Sequence, residues 1–283
     1  MSFDQYVTRV NAKLDGYLSI QGSLTEAMRY SVLVGGKRFR PILTYCVASL
    51  FNANQQSVDS SACSVEFIHA YSLIHDDLPA MDDDDIRHNQ PACHKRFDEA
   101  QAILAGDGLQ ALAFEVLVND PLLDSQMKIE LLSTLTHAAF EMAEGQAIDL
   151  SIVSQTVDIS VLENMHRKKT GALLSCAVDL GAITARCSKQ DRNILRDFSQ
   201  AIGLAYQIQD DVLDVEAPVG ILGKNQHSDS DKNKPTYPSV IGLSESKQAY
   251  QALYKKASND LNLLSVNAKN LQLLIEKLQT RSF

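Results

Sequence analysis

The sequence contains no tryptophan, and its 283 residues include only 13 glycines, 7 prolines and 5 cysteines. The scarcity of glycine and proline disfavours a sheet interrupted by many turns, and the abundant Leu, Ala, Ile, Gln and Lys favour helices. The cysteines are odd in number and form no C-x-x-C pair. They indicate reduced thiols in a cytoplasmic protein rather than a disulfide framework.

Targeting and membrane signals are also lacking. The N-terminal residues M-S-F-D-Q-Y-V-T-R-V have no basic region followed by an apolar one, so we expect no signal peptide. The longest stretch without Asp, Glu, Lys or Arg covers residues 41–58 and still contains Asn and Gln. We therefore expect no segment that inserts stably into a membrane.

A basic excess is absent as well, because 26 Lys and Arg stand against 35 Asp and Glu, for a formal net charge of −9. Nucleic-acid binding, which relies on phosphate neutralisation by Lys and Arg, is thereby disfavoured. The acidic excess lies in two short segments. Residues 76–85, D-D-L-P-A-M-D-D-D-D, hold six carboxylates, and Asp210, Asp211 and Asp214 hold three more.

Apolar residues three and four positions apart predict helices along most of the chain, without an alternating strand pattern or a repeat. Residues 216–240 are rich in Gly, Pro and polar side chains and predict a long loop. The simplest architecture is one all-α domain over residues 1–283. The predicted helices lie near 3–19, 24–34, 40–53, 58–78, 97–118, 125–150, 158–168, 170–186, 189–215, 245–262 and 266–279.

Both acidic segments terminate apolar helices. In the second, helical spacing puts Gln207, Asp210 and Asp214 on one face, where like charges need a positive partner. Carboxylate oxygens favour Mg²⁺ or Ca²⁺, and Mg²⁺ fits better if a substrate supplies phosphate oxygens. A solvated surface loop is the alternative, and two such runs make it the weaker interpretation. A calcium-binding loop is excluded, because counting from Asp82 or Asp229 finds neither the required Gly nor the required Glu.

Basic residues complement the carboxylates. Cations and metal-binding carboxylates together suit a metal-bridged polyphosphate ligand. The patterns G-x-x-x-x-G-K-[ST], G-x-G-x-x-G and G-x-S-x-G are absent, so nucleotide hydrolysis, dinucleotide redox chemistry and serine-nucleophile chemistry lose their usual support. The basic elements are G-G-K-R-F-R-P at 35–41, R-K-K-T-G at 167–171, Arg87, Lys224 and Lys234.

These motifs, in this order, resemble the trans-isoprenyl diphosphate synthase (polyprenyl synthetase) family, most closely its bacterial farnesyl type. Further matches are G-D-G-L at 106–109, E-G-Q-A-I-D-L at 144–150 and Q-I-Q-D-D-V-L-D at 207–214. The resemblance implies the isoprenoid synthase fold, a bundle of ten or more helices around a central cavity. It also implies a homodimer and head-to-tail condensation of isopentenyl diphosphate with an allylic diphosphate to give farnesyl diphosphate.

The resemblance assigns roles to individual residues. Asp76, Asp82 and Asp210 would bind Mg²⁺, with three ions in the site. Asp77, Asp211 and Asp214 would support them. Isopentenyl diphosphate would be held by Lys37, Arg40 and His69, the allylic diphosphate by Arg87, Lys169, Lys224 and Lys234, and the developing allylic cation would be faced by Thr170 and Gln207.

Product length depends on the helix that precedes Asp76, because one helical turn of about 5.4 Å is comparable to an isoprene unit. In the family, an aromatic residue five positions before this aspartate, together with a two-residue insertion in the first motif, goes with a farnesyl product. Tyr71 stands at that position and Ser72 four positions before Asp76, and both are assigned to product length. The alternative interpretation is that Tyr71 is an ordinary core aromatic with no role in product length. Geranyl and geranylgeranyl products stay open as alternatives.

One position departs from the family, because His88 stands where an arginine ordinarily binds isopentenyl diphosphate. An imidazole cannot make the bidentate contact of a guanidinium, so we expect a raised Michaelis constant for isopentenyl diphosphate unless a neighbouring cation compensates.

Two other functions stay open as alternatives. A terpene cyclase or aromatic prenyltransferase is disfavoured because it needs no isopentenyl site. A regulatory subunit of a heteromeric synthase is disfavoured because every expected Mg²⁺ ligand is present.

Overall fold

The computed structural model describes residues 1–216 and 234–280. Almost all of its regular structure is helical, so the all-α prediction is confirmed. The helices are α1 (Phe3–Tyr17), α2 (Ser23–Leu33), α3 (Phe39–Leu50), α4 (Gln55–Asp76), α5 (Cys93–Arg96), α6 (Glu99–Val118), α7 (Ser125–Ser151), α8 (Ile159–His166), α9 (Ala172–Thr184), α10 (Lys189–Glu216), α11 (Tyr237–Ile241), α12 (Leu243–Leu261) and α13 (Lys269–Gln279).

Three small elements are not predicted by the pattern of apolar residues: the four-residue helix α5, a β-hairpin and a π-helical turn. Strands β1 (Ile86–Arg87) and β2 (Gln90–Pro91) form an antiparallel hairpin, and a π-helical turn (Arg167–Gly171) joins α8 to α9. The hairpin is too short to produce a visible alternation of side chains. Single π-helical turns are rare and occur often at functional sites.

The predicted loop over residues 216–240 is wrong at its end, because α11 begins at Tyr237. Thr236 and Ser239 form a capping box, and Pro238 lies in the first helical turn, where its missing N–H leaves no hydrogen bond unmade. Proline here starts a short helix instead of marking a loop. Most of the remaining predicted loop lies outside the described residues.

The chain folds into two compact units, residues 1–136 with 180–186 and residues 137–179 with 187–283. In the first unit, α4 is buried along most of its length and packs against α3 and α6. In the second, α10 packs against α12 and the π-helical turn. A core cluster of the second unit contains Leu162, Leu204, Ile208 and Tyr237. That one domain spans residues 1–283 stays a prediction.

Helix α6 bears on the expectation that no segment of the chain inserts stably into a membrane. By length and composition alone, it is the one helix in the described ranges that could cross a bilayer, with a mean hydropathy of 1.3 and 39% of its apolar window buried. In the sequence, Asp107 and Glu115 interrupt its apolar run and hide this property. Its buried face packs against α2 and α4.

Candidate active site

The first aspartate-rich segment folds back on the end of α4. The Asp82 N–H donates to the Asp76 carbonyl at 2.8 Å, and the Asp84 N–H donates to the Asp77 carbonyl at 3.2 Å. These bonds place the backbones of Asp76 and Asp82 side by side, although six positions separate them in sequence. Both side chains are half-buried, whereas Asp77 is buried.

Asp77 is occupied by Arg87 from the hairpin. The Arg87 Nε donates to Asp77 Oδ1 at 3.0 Å, its Nη2 forms a second bond to the same carboxylate, and Asp84 lies 3.6 Å from that Nη2. Burial alone would lower the pKa of Arg87, but Asp77, Asp84 and Asp76 outweigh it and raise that pKa. Arg87 therefore stays charged beside the acidic turn, and its contact with an allylic diphosphate stays a prediction.

His88 and Asn89 form the tip of the hairpin. Their φ angles of 52° and 60° are both positive, as a type I′ hairpin turn requires, and the twist of such a turn matches that of paired strands. His88 packs directly on the glycine pair of the G-G-K-R motif. A Cβ built on Gly35 would stand 2.8 Å from the His88 Cβ, so glycine allows this approach.

His69, on α4, lies in a positively charged environment. Burial lowers the pKa of its imidazole well below the usual range, and the charges of Arg40, His88, Arg87 and Arg38 lower it further. His69 is therefore neutral at physiological pH and can donate one hydrogen bond. Three of the charges that act on His69, those of Arg40, Arg87 and His88, belong to residues that the sequence also assigned to diphosphate binding.

The remaining basic residues of the G-G-K-R-F-R motif have different surroundings. Arg38 is buried and donates to Glu66 at 2.8 Å and to the Asn11 side chain at 2.7 Å, which fixes the start of α3. Lys37 is exposed. Arg38 is thus a structural residue, and the side chain of Lys37 remains accessible to an anion.

In the second unit, two lysines share one buried carboxylate. Lys169 Nζ lies 2.6 Å from Asp149 Oδ2, and Lys234 Nζ lies 2.9 Å from the same oxygen. Burial raises the pKa of Asp149, but the charges and hydrogen bonds of the two lysines outweigh it, so that pKa is lowered. Asp149 stays ionised and holds two predicted diphosphate-binding cations at one point.

A hydrogen-bond chain runs through the predicted cation-facing residues. Thr170 Oγ1 donates to Gln207 Oε1 at 2.9 Å, and Gln207 Nε2 donates to Asp211 Oδ1 at 3.1 Å. The Tyr237 N–H donates to Asp211 Oδ2 at 2.9 Å, and His166 Nε2 lies 3.3 Å from that oxygen. Asp211 is therefore held by two hydrogen bonds inside the protein, with the His166 ring beside it.

Several of these side chains line a small open cleft of about 70 Å³, formed by residues of the second unit. Asp210, on the same helix turn as Asp211, is exposed, and Asp214 is half-buried. Lys224, also assigned to the allylic diphosphate, lies outside the described residues. The cleft is lined by Asp149, His166, Lys169, Gln207, Asp211 and Lys234, among others.

Tyr71 and Ser72 occupy α4 as their numbering predicts. The Tyr71 ring is 9% exposed and meets His75 edge to face, and burial raises the pKa of its hydroxyl. Ser72 Oγ donates to the His69 carbonyl at 2.9 Å. Their control of product length stays a prediction.

Sequence reasoning misses three side chains of the second unit. Asp149 lies in the E-G-Q-A-I-D-L motif, and its neighbours there give no sign of its two lysine partners. His166 directly precedes the R-K-K-T-G motif, and Tyr237 follows Lys234 by three positions. For His166 and Tyr237, the signal that could have identified them in the sequence was their proximity to a basic residue of the predicted site.

A helical fold that carries aspartate clusters and cations suited to a diphosphate defines an isoprenoid synthase of the prenyltransferase class. The sequence profile of the polyprenyl synthetase family matches residues 21–269, and the chain belongs to that family. The resemblance noted in the sequence is confirmed.

The chain is 45% identical to a farnesyl diphosphate synthase of Haemophilus influenzae, over 91% of this chain and 90% of the relative. It is 41% identical to geranylgeranyl pyrophosphate synthase 3 of Arabidopsis thaliana, over 89% of this chain and 72% of the relative. Among solved structures, a geranyltransferase of Legionella pneumophila matches with a TM-score of 0.89 and 36% identity, covering 99% of this chain and 96% of that one.

Proposed function

We propose that this chain catalyses the Mg²⁺-dependent head-to-tail condensation of isopentenyl diphosphate with dimethylallyl or geranyl diphosphate, giving farnesyl diphosphate and diphosphate. One observation carries this activity over that of a cyclase. The charges of Arg40, Arg87 and His88 all act on His69, in the same unit as Asp76 and Asp82. A cyclase has no use for this second, cationic anion site.

The roles of the side chains follow from their chemistry. Lys37, Arg40 and the neutral imidazole of His69 hold isopentenyl diphosphate. Lys169 and Lys234, fixed by Asp149, neutralise the departing allylic diphosphate, and Arg87 and Lys224 complete that set. The Thr170 hydroxyl and the Gln207 carbonyl oxygen stabilise the allylic cation, which the isopentenyl double bond attacks. The released diphosphate accepts the proton.

The residues present fit Mg²⁺. Asp76 and Asp82 stand side by side on a turn closed by a 2.8 Å backbone bond, and Asp210 is exposed on α10. Carboxylate oxygens are the hard donors that Mg²⁺ prefers, together with phosphate oxygens of a substrate. Bound Mg²⁺ supplies charge neutralisation at the leaving diphosphate. We propose three ions, held by these three aspartates and supported by Asp77, Asp211 and Asp214.

The activity is tested with the purified chain, Mg²⁺, isopentenyl diphosphate and, separately, dimethylallyl or geranyl diphosphate. Chromatography of the dephosphorylated products should give farnesol from both primers. Geranylgeraniol would instead support the geranylgeranyl alternative, and geraniol alone the geranyl one. A cyclic hydrocarbon would identify a cyclase, and no product would favour a regulatory subunit.

Replacing Tyr71→Ala should lengthen the product. The ring is buried five residues, or about 7.5 Å of helix, before Asp76, and its removal opens space for about one further isoprene unit. Chromatography should then show geranylgeranyl diphosphate as a major product. Ser64→Ala, which removes a hydroxyl bonded within α4 about two turns further from Asp76, is the control and should keep the farnesyl product. An unchanged distribution in Tyr71→Ala contradicts the assignment.

Replacing His88→Arg should lower the KM for isopentenyl diphosphate. A guanidinium can bind a diphosphate with two parallel bonds at any working pH, whereas an imidazole loses its charge near neutrality. The wild-type KM should therefore rise as the pH rises from about 6 to about 8, and this dependence should flatten in the variant. Kinetics with varied isopentenyl diphosphate checks both effects. Equal KM values in the two proteins would show that a neighbouring cation already compensates.

We further propose a cytoplasmic homodimer, in which a second copy covers the exposed apolar side chains on and after α6, without stable membrane insertion. These side chains, which are between 44% and 62% exposed, are Ile103, Leu104, Val118, Leu122 and Ile129.

Replacing Leu104→Glu should shift the protein from dimer to monomer in analytical ultracentrifugation. Leu263→Glu, at an exposed apolar position of the second unit, is the control. A wild-type monomer contradicts the proposal.

A further inference from the structure

A second group of potential metal ligands lies at the base of the hairpin. Asp83, Asp85 and His94 each offer one ligand atom, and these atoms all lie within 4.8 Å of one another. None of the three belongs to the residues assigned to Mg²⁺. Small side-chain rotations would bring the donors to the shorter spacing found around a bound ion.

His94 provides the observation that points to a ligand. Its side chain is buried, with 7% exposure, and neither Nδ1 nor Nε2 has a hydrogen-bond partner within the described part of the chain. Buried polar groups almost always have a partner, and an orphan calls for a missing water or ion. An imidazole whose ring lies against two carboxylates is a common metal ligand.

The backbone explains why these three residues meet. The Ala92 N–H donates to the Asp85 carbonyl at 2.8 Å, which closes the hairpin and brings the start of α5, where His94 lies, next to Asp85. Asp83 has a φ of 51°, a left-handed conformation that aspartate tolerates better than most residues. The turn before the hairpin therefore presents the Asp83 carboxylate at the same place.

One charged neighbour competes for the carboxylates. Lys95 Nζ lies 2.8 Å from Asp85 Oδ1, in a pair whose side chains are 43% and 66% exposed. Ion pairs with such exposure contribute little free energy. A divalent ion can therefore displace Lys95 at small cost.

We propose that Asp83, Asp85 and His94 bind a divalent transition-metal ion of the Zn²⁺ class, at a site separate from the Mg²⁺ ligands. A set of one imidazole nitrogen and two carboxylate oxygens suits Zn²⁺, Mn²⁺ or Co²⁺, whereas Mg²⁺ prefers oxygen donors alone. The ion joins the two ends of the hairpin and so steadies the loop that carries Arg87 and His88.

The test is calorimetric titration of Zn²⁺ into the full chain at neutral pH, without Mg²⁺ or diphosphate. Wild type should bind one ion, and His94→Gln should bind it about 100-fold more weakly or not at all, since removing even an outer partner of a metal ligand costs about 10- to 100-fold. If His94→Gln does not fold, Asp83→Asn with Asp85→Asn, at exposed positions, should give the same loss. Co²⁺ should show a visible absorption band that depends on His94.

Two controls locate the ion. His137→Gln, at an exposed imidazole of α7, should leave Zn²⁺ binding unchanged. Asp76→Asn with Asp82→Asn should keep the Zn²⁺ site even though prenyl transfer is lost, which separates this proposal from the proposed function. Absence of saturable Zn²⁺ binding overturns the proposal. So does binding that survives the loss of His94, or that disappears with Asp76 and Asp82.

Discussion

Asp149→Asn should reduce kcat/KM for the allylic diphosphate by about 100-fold, because a displacement of about 1 Å in a positioning group can cost that much. Asp149 is 3% exposed and is the shared carboxylate of Lys169 and Lys234, at 2.6 and 2.9 Å. Without its charge, the two ammonium groups repel each other and separate. Steady-state kinetics with varied geranyl diphosphate checks the loss.

Glu144→Gln is the matched control for Asp149→Asn. Glu144 pairs with Lys168 from the same two segments, α7 and the π-helical turn, but its side chain is 43% exposed. Exposed pairs contribute little, so kcat/KM should change less than about threefold. A comparable loss in both variants would mean that Asp149 acts only through the stability of α7.

The same carboxylate predicts a dependence of stability on pH. Because folding lowers the pKa of Asp149 below its ordinary value of 3.8, the pair stabilises the protein above that pH. The stabilisation is lost as the pH falls through the lowered pKa. Thermal unfolding of wild type and Asp149→Asn should therefore differ at neutral pH and converge in acid. A difference that persists in acid contradicts the ion-pair explanation.

The helices were predictable because each buries an apolar stripe that repeats every three or four residues. The eleven predicted segments correspond to α1–α4, α6–α10, α12 and α13, with shifts of a few residues at the ends. The elements that the apolar pattern did not predict depend on the local conformation of the backbone. The hairpin depends on positive φ at His88 and Asn89, and α11 depends on a cap at Thr236, and neither leaves a periodic pattern.

The candidate site was predictable to a different degree. Lys169 was singled out by its basic motif and Gln207 by its helical spacing from the aspartates, whereas Thr170 was assigned through the family resemblance alone; these roles remain predictions. Asp149 and Tyr237 act by holding residues of the site, through contacts that span 20, 85 and 26 positions of sequence. Such contacts exist only after folding, so no local pattern reveals them.

Gly145→Ala should destabilise the protein by about 3 kcal/mol, the upper end of the cost of overpacking. A Cβ at Gly145 would stand 2.2 Å from the backbone nitrogen of Lys169 and 2.5 Å from its Cα, and backbone cannot rotate away as a side chain can. The π-helical turn that carries Lys169 and Thr170 must therefore move, and kcat should fall by about 100-fold even below the unfolding temperature.

Gly16→Ala provides the control, because it adds the same methyl group inside α1 with no atom within 4 Å. It should raise the free energy of unfolding by about 0.5–1 kcal/mol, since alanine restricts the unfolded chain more than glycine does. Denaturant unfolding and kcat are measured on both variants. If Gly145→Ala keeps full activity, α7 and the π-helical turn can separate without disturbing Lys169, and the close approach at Gly145 does not position the site.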